Sequence, residues 1–425
     1  MKTKDYLKNI YTKEYLILIG IGFLPLMWKI LEIAFLTTFE NSLKILGQVA
    51  LISIIFKVFE ETIFNPLFKT LSKSNFKTEA EQIPVACKFL IYYSVATVLF
   101  TTLLIIFNKP ILEISKVPDY IFDETLQFLK IYTIACGFGV IAKFLYTFSL
   151  INKDTKKMFI YFLIKSVATT ILFIFLVPHF TLGLGTNGIA IAELIINITT
   201  ILCLALSLPK PEKTETKFNI KEYFKLLGFA FTETLVRNVV YYFVILVFLN
   251  MLDNQDLYFV SNEFIWSVML VPTLAQSSLV KQELSNNKNT NLKPYFINSI
   301  FLSLFLILLT PIAFLVFKHI YKLSNYFETF IVMLKLLPCY FIFIIDSIIE
   351  AYFISTGKLH HVLIQSIITN ILIYLTAFIL YLFGIWIVTL NSIILLFNLG
   401  VIISSIYTIS VYLIEKIKLK KHTAN

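Results

Sequence analysis

The sequence predicts an all-α polytopic membrane protein with twelve transmembrane helices. Of its 425 residues, 58% are hydrophobic, and the mean hydropathy is +0.82. Only 15% of the residues are charged, against about 25% in a typical soluble domain. Apolar runs that are too long for barrel strands recur along the whole chain. These observations exclude a disordered chain, a nucleic-acid-binding domain and an ordinary soluble enzyme.

Twelve apolar runs define the predicted helices, because about 20 consecutive apolar residues cross the hydrocarbon core of a bilayer. Six runs precede a polar stretch and six follow it. In chain order they are 15–39, 44–68, 85–108, 124–150, 158–178, 187–208, 223–250, 256–283, 296–318, 327–355, 360–383 and 386–414.

Lysine placement predicts the orientation. The net charge of +10 comes mainly from lysines in alternate segments between the runs. The lysine-rich set of segments carries the lysines of 2–13, 69–77, 153–157, 210–221 and 416–421 together with Lys288, Lys293 and Lys358. The alternate loops hold only Lys44, Lys109, Lys116, Lys318 and Lys322. Lysine-rich segments stay in the cytoplasm. We therefore expect a monomer in the inner (cytoplasmic) membrane with both termini cytoplasmic, contacting membrane lipids and no nucleic acid.

Two pairs of similar segments indicate an internal repeat. "PLFKTLSKSN" (66–75) closes the second run as "SLVKQELSNN" (278–287) closes the eighth, and "INKDTKK" (151–157) follows the fourth as "STGKLHH" (355–361) follows the tenth. Such a repeat predicts two six-helix lobes related by an axis along the membrane normal. Alternatively, lysine-rich loops after apolar helices resemble one another by chance.

The repeat predicts three regions of the chain. They are an N-lobe at 1–208 with helices 1–6, a cytoplasmic linker at 209–222, and a C-lobe at 223–425 with helices 7–12 and a basic tail.

Many ionisable residues lie within the apolar runs, where each costs about 2.5–3.5 kcal/mol at the bilayer centre. The clearest are Lys29, Glu32, Lys57, Glu60, Glu61, Lys143, Lys165, Glu193, Glu233, Arg237, Glu263, Asp346 and Glu350. They must face an internal cavity or one another. We interpret Lys57, Glu60 and Glu263 as residues of a substrate cavity. Helical spacing also permits local pairs, Lys29 with Glu32 and Lys57 with Glu61, that neutralise themselves without a function.

Arg237 is the only arginine in the chain and has Glu233 one turn before it. The planar, permanently charged guanidinium suits a fixed pairing or an anionic ligand group. Asn238 and Tyr241 flank it, and we expect all three residues to line the substrate cavity. A static salt bridge between Glu233 and Arg237 is the alternative.

Asp346 and Glu350 are like charges one helical turn apart within the tenth run. Two carboxylates on one helix face away from water do not both stay ionised, so one takes a proton or both share a cation. The pair is the first candidate for a Na⁺ or H⁺ site. Alternatively, one carboxylate lies at a helix end in the membrane interface.

The sequence holds no Gly-rich phosphate loop, no metal-ligand spacing and no nucleophile triad with supporting context. We therefore expect no cofactor and no enzymatic activity. His360 and His361 follow the tenth run in a predicted cytoplasmic loop, where solvation is expected. A membrane-embedded transferase that uses them is the remaining enzyme hypothesis.

Several segments resemble those of one transporter family. "LEIAFLTTF" (31–39) resembles the first-helix pattern V-D-T-x-F-V-G, and "GLGTNGIAIAELI" (183–195) the sixth-helix start G-x-x-G-A-A-x-A. "FLKIYTIACGFGVIAKFLYTFSLINKDTKKM" (128–158), "VPTLAQSSLVKQELSN" (271–286) and "GIWIVTL" (384–390) resemble parts of its fourth, eighth and twelfth helices. The chain thus resembles the multidrug and toxic compound extrusion (MATE) family, within the multidrug/oligosaccharidyl-lipid/polysaccharide flippase superfamily.

The resemblance implies two pseudo-symmetric six-helix lobes that form a V around a central cavity, with alternating access driven by Na⁺ or H⁺ antiport. It places Glu32 at the proton-linked aspartate of the first helix and Asp346 near an acidic residue of the tenth. Glu233 and Asn238 bracket the seventh-helix acid of some branches. The fifth helix departs from the pattern, since it offers Lys165 and no carboxylate to partner Glu32.

The function that these residues favour is export of an amphiphilic small molecule by cation antiport, with Glu32, Glu233, Asp346 and Glu350 coupling the cation. The alternative is a flippase for a lipid-linked saccharide or another anionic lipid. The lysines of the N-lobe helices suit a zwitterionic or anionic amphiphile better than a cationic drug.

Overall fold

The computed structural model consists of helices. It describes residues 12–36, 39, 41–47, 49–72, 75–76, 79–114, 117–208, 219–252, 254–287, 290–321 and 323–424. All regular secondary structure within these ranges is helical. The end segments 1–11 and 425 and most of the predicted linker (209–218) lie outside the described residues.

The first six predicted runs form helices α1 to α6, with a short helix, Ser42–Gly47, before α2. Their bounds are α1 Lys13–Leu36, α2 Val49–Thr70, α3 Glu79–Ile114, α4 Asp119–Ile151, α5 Thr155–Leu176 and α6 Gly185–Leu206.

The last six runs form helices α7 to α12. Helix α7 begins as Ile220–Val240 and continues through a π-helical turn, Tyr241–Leu246, to Val247–Asn250. Helix α8 consists of Gln255–Met269 and Val271–Asn286, which meet at a bend of 50°. The others are α9 Lys293–Ile320, α10 Tyr326–Thr356, α11 Leu359–Leu382 and α12 Leu390–Ala424.

The predicted fold class, an all-α polytopic membrane protein, is confirmed. Helices occupy all twelve predicted positions in the part of the chain that the structure describes. Nine of them are long and apolar enough to cross a membrane, or ten if the two parts of α8 form one span. Helix α2 is not among these nine, and its apolar stretch carries Lys57, Glu60 and Glu61.

The chain divides into two compact units. The C-terminal unit comprises Met1–Gly22, Glu61–Lys69 and Ile220–Asn425, and the N-terminal unit comprises Phe23–Glu60 and Thr70–Asn219. Short segments of α1 and α2 therefore pack with the second half of the chain.

Apolar side chains form the core of each unit. In the C-terminal unit the fully buried residues include Ile245, Phe248, Leu306, Phe317 and Leu336. A smaller cluster in the N-terminal unit consists of Leu36, Phe173, Val177, Ile189, Ala192 and Ile196. Because lipid tails are as apolar as these side chains, such cores hold membrane helices together mainly through van der Waals packing.

Local sequence signals set several helix ends. Gly357 ends α10 with φ +80, a left-handed conformation that glycine adopts without strain. Asp154 caps α5, accepting a hydrogen bond of 3.1 Å from the backbone N–H of Lys157. Burial opposes ionisation of Asp154, but the hydrogen bonds from Lys157 and its ammonium, 2.8 Å away, outweigh burial and lower the pKa of Asp154.

The bend in α8 is packed against the first half of α1 within the C-terminal unit. Val271 begins the second part of α8, with Pro272 in its first turn, where a missing N–H is tolerated. The Tyr15 hydroxyl donates a hydrogen bond of 3.0 Å to the Pro272 carbonyl. A Cβ at Gly22 would lie 2.7 Å from Val271 Cγ1, so glycine permits this approach.

Candidate functional site

The C-terminal unit holds a charge cluster centred on Arg237. Because Glu233 and Arg237 are one turn apart on α7, the Arg237 Nε donates a hydrogen bond of 2.7 Å to Glu233 Oε1. The Arg237 Nη2 donates to Glu61 of α2. The Glu233 side chain is only 7% exposed, Glu61 27% and Arg237 38%. One guanidinium thus bridges two carboxylates from two helices.

Neutral hydrogen bonds fix the helices that carry this cluster. The Thr62 and Thr234 hydroxyl oxygens lie 3.1 Å apart and link α2 to α7. The Ser366 hydroxyl of α11 donates to the Glu233 carbonyl at 3.4 Å. These bonds connect α2 and α11 to α7 beside the charge cluster.

Asp346 lies in the middle of α10 and is 2% exposed. The Gln365 side-chain amide donates a hydrogen bond of 2.7 Å to Asp346 Oδ2. Among the described residues, no donor forms a well-aligned hydrogen bond with Oδ1, although the hydroxyls of Ser405 and Thr408 on α12 lie near enough to the carboxylate to interact with it. A carboxylate oxygen without a well-aligned donor in a dry site is costly unless it carries a proton or contacts a cation.

Glu350 connects Asp346 electrostatically with the charge cluster around Arg237. It lies close enough to act on both Asp346 and Glu233. The resulting series is Asp346, Glu350, Glu233, Arg237 and Glu61. It contains four carboxyl groups and one guanidinium, which leaves an excess of three negative charges when all are ionised.

Other residues predicted to line a cavity have different surroundings. The Asn238 amide donates to the Thr234 carbonyl of its own helix at 2.7 Å. Tyr241 is partly buried against the core of the C-terminal unit. Glu263 is exposed on α8, near Tyr321 at the end of α9. Lys57 is exposed on α2, and the predicted partner Glu61 accepts a hydrogen bond from Arg237 instead.

The N-terminal unit has its own charge cluster around Lys165. Lys165 lies in a π-helical turn of α5, Ile164–Ala168, and its ammonium donates to the Asn197 side chain of α6. The ammonium is also 5.6 Å from the centre of the Trp28 ring, whose indole N–H donates to the Lys165 carbonyl at 3.0 Å. This arrangement orders a lysine inside the unit.

Glu32 has a carboxylate neighbour in this cluster, but from α6. Glu193 lies near enough to repel Glu32 when both are ionised, and near enough to Lys165 to attract it. Glu60 accepts a hydrogen bond from Lys143 of α4. Lys29, one turn before Glu32 on α1, also attracts Glu32. The unit therefore brings together three carboxylates and three lysines.

Sequence reasoning identified these ionisable residues but did not place Glu193, Lys143 and Lys165 in a common site. Glu193 carried a usable signal, since it is the only acidic or basic residue within α6. Its proximity to Glu32 depends on how α1 and α6 pack, and no helical spacing reveals that.

The prediction for His360 and His361 is corrected. Both residues lie in the first turn of α11 and not in a loop. His360 is exposed, but His361 is half-buried, with Nε2 3.7 Å from Glu415 and Nδ1 3.2 Å from the Tyr407 hydroxyl. Lys358 also donates to Glu415. Burial opposes the charge of Lys358, but Glu415 outweighs burial and raises the pKa of Lys358.

No group of three or more His, Cys, Asp or Glu side chains that could hold a metal ion occurs among the described residues. The fold and the charge clusters define a helical polytopic membrane protein whose ionic groups lie inside its two units.

Comparison with solved structures places this fold. The chain is similar to the MATE transporter VcmN of Vibrio cholerae, with a TM-score of 0.78, 16% identity, and coverage of 99% of this chain and 98% of that chain. For VcmN in the bent form the TM-score is 0.78 and the identity 16%, with 96% of this chain and 97% of that chain covered. For a MOP superfamily transporter from Pyrococcus furiosus the TM-score is 0.76 and the identity 13%, with 93% of each chain covered. The chain therefore has the fold of the MATE transporters, as the sequence motifs predicted.

No protein-family model and no curated protein sequence matches the chain.

Proposed function

We propose that this protein is a MATE-like secondary transporter that exports an amphiphilic small molecule in exchange for Na⁺ or H⁺. The excess of carboxyl groups in the C-terminal unit carries the proposal. The fold supports it, because solved transporters of this fold match nearly the whole chain.

The coupling cation would bind where negative charge is in excess. The series has four carboxyl groups and one guanidinium, which contacts two of them, and Asp346 is the most buried of the four. Its Oδ1 has no well-aligned donor and lies near the hydroxyls of Ser405 and Thr408, and carboxylate and hydroxyl oxygens are the ligands that hard cations prefer. A proton on Asp346, or Na⁺ between Asp346 and Ser405, would relieve both the repulsion from Glu350 and the missing hydrogen bond.

Alternating access would follow from differential binding. A cation shifts the equilibrium between two facing states only by the difference in its affinity for them. Protonation of Asp346 removes a charge of the series that reaches Arg237 and Glu61. We propose that the substrate and the cation favour opposite states through this series and through Glu32 in the N-terminal unit.

The N-terminal unit favours a substrate with both charges. It offers Glu32, Glu60 and Glu193 together with Lys143 and Lys165. Lysines in this position would repel a purely cationic drug. A zwitterionic amphiphile would satisfy both signs of charge.

A flippase for a lipid-linked saccharide or another anionic lipid is the second candidate. Lys143 and Lys165 favour it. So does the similarity to the Pyrococcus furiosus transporter, for which a binding pocket of reverse polarity suggests a different function.

Efflux from proteoliposomes under an imposed Na⁺ or H⁺ gradient tests the proposal. A zwitterionic and a cationic fluorescent amphiphile are compared. Asp346→Asn and Glu32→Gln should each lower gradient-driven efflux at least tenfold. Asp119→Asn, at an exposed carboxylate in the first turn of α4, is the matched control and should transport like the unmodified protein.

Efflux that ignores both gradients and survives both variants would refute antiport. Movement of a labelled anionic lipid between leaflets, abolished in Arg237→Ala but retained in Asp346→Asn, would establish the flippase instead.

We also propose that the protein lies in the cytoplasmic membrane with both termini inside. Labelling of single cysteines introduced at Lys156 and Lys318 tests this orientation. A membrane-impermeant reagent should reach position 318 in intact cells, and position 156 only after the cells are opened.

A further inference from the structure

A pocket of about 580 Å³ lies at one end of the C-terminal unit, outside both charge clusters. It is formed by the loop before α9, the first two turns of α9 and the end of α12. The start of one candidate membrane span and the end of another meet there. The pocket therefore lies where two candidate spans end, and the orientation predicted from the lysine distribution puts this end of the helices on the cytoplasmic side.

Two lysines give the pocket positive charge. Lys293 is exposed in the first turn of α9, and Lys416 lies on the last turns of α12. Neither forms an ion pair with another described residue, and no carboxylate is among the residues that line the pocket. The Lys416 ammonium is 5.5 Å from the centre of the Tyr412 ring and 5.9 Å from that of Tyr352, which restricts its position.

One wall of the pocket is apolar and continues into an exposed apolar face of α9. Phe296, Ile297 and Ile300 line it. Ile300, Leu304 and Leu308 then continue along one face of α9, with exposures of 62%, 51% and 71%. Because these residues recur every fourth position within a membrane span, they form a continuous track for an acyl chain.

We propose that this pocket binds an anionic phospholipid, with the phosphate between Lys293 and Lys416 and an acyl chain along α9. The positive charge selects for anionic lipids, which are enriched where juxtamembrane lysines are attracted to the bilayer. The apolar wall selects for a lipid over a free anion, since a soluble phosphate would leave Phe296 and Ile300 uncovered. The pocket has the volume of a small-molecule site. This site is independent of the transport proposal.

Native mass spectrometry of the purified full-length protein, titrated with phosphatidylglycerol and phosphatidylcholine of equal chain length, tests the site. The double variant Lys293→Gln/Lys416→Gln should lower the preference for phosphatidylglycerol roughly 25-fold, at about fivefold for each juxtamembrane lysine. Lys221→Gln/Lys225→Gln is the matched control, since it removes two exposed lysines at the start of α7, and it should keep the preference.

A second variant, Ile297→Trp, fills the apolar wall and keeps both lysines. It should weaken phosphatidylglycerol binding at least fivefold, with an unchanged melting temperature as the check on folding. Equal losses in the pocket variant and the control would overturn the proposal in favour of non-specific surface charge. Competition by glycerol 3-phosphate as effective as that by the intact lipid would also overturn it, because the site would then recognise a free anion.

Discussion

Replacement of Arg237 by glutamine should leave two carboxylates inside the membrane without their cation. Loss of one partner from a buried ion pair costs about 3–5 kcal/mol. Arg237 donates two charge-assisted hydrogen bonds, to Glu233 and Glu61, and such bonds contribute about 1.5–3 kcal/mol each. Because the Arg237 side chain is 38% exposed and Glu61 27%, we take the lower end, about 3 kcal/mol.

Reversible unfolding in mixed micelles with increasing SDS, followed by circular dichroism, measures this loss. Arg237→Lys keeps the charge but does not reach both carboxylates from separate nitrogens, so it should lose about half as much. The triple variant Glu61→Gln/Glu233→Gln/Arg237→Gln replaces every charge by a neutral amide and should recover to within about 1 kcal/mol of the unmodified protein. Lys57→Gln is the control and should change stability by less than about 0.5 kcal/mol.

Two results would refute this reasoning. One is a loss below about 1 kcal/mol in Arg237→Gln, the value of an exposed ion pair. The other is a triple variant as unstable as the single one, since the loss would then come from packing of the arginine stem and not from unpaired carboxylates.

Three further predictions concern single side chains. Gly188→Ala should destabilise the protein by about 1–3 kcal/mol in the same unfolding assay, because its Cβ would lie 2.8 Å from a backbone oxygen. Gly228→Ala is the control and should be neutral or stabilising, because a Cβ there would have no neighbour within 4 Å. Asp154→Ala should lower the free energy of unfolding by about 1 kcal/mol at pH 7. Contacts with Lys157 lower the pKa of Asp154 in the folded protein. The contribution of Asp154 is therefore present above its unfolded-state pKa of about 3.9 and is lost as the pH falls below that value. Asp346→Asn should raise stability by about 0.5–2 kcal/mol while it abolishes cation-driven efflux, and a destabilised variant would argue that the site normally holds an ionised, fully paired carboxylate.

The positions of the helices could be predicted from the sequence because the membrane imposes one rule along the chain. Every backbone polar group must be paired within its own segment, so each apolar run of sufficient length becomes a helix. The interruptions were not predicted. The 50° bend in α8 lies between a π-helical turn, Ile265–Met269, and Pro272, and both features bend helices. Hydropathy records neither of them, nor the π-helical turn after Val240.

The ionic contacts divide in the same way. The Glu233–Arg237 pair was open to prediction, since both residues lie on one helix at a favourable spacing. The pairing of Arg237 with Glu61 joins residues 176 positions apart, and helical spacing favoured Lys57 in its place. Likewise, the family pattern places the carboxylate partner of Glu32 on α5, which has none, whereas its neighbour Glu193 comes from α6. Ion pairs within one helix could be predicted from the sequence, but ion pairs between residues far apart in the chain could not.

The contact between Tyr15 and the Pro272 carbonyl has a mechanical consequence. Straightening α8 at Leu270 would carry that carbonyl away from the tyrosine and break a buried hydrogen bond of 3.0 Å, a loss of about 1 kcal/mol. The first turns of α1 must move together with Val271–Asn286, the second part of α8, to avoid this loss. The amino-terminal end of the chain would then report every change in the α8 angle, and a spectroscopic label near Lys13 would detect it.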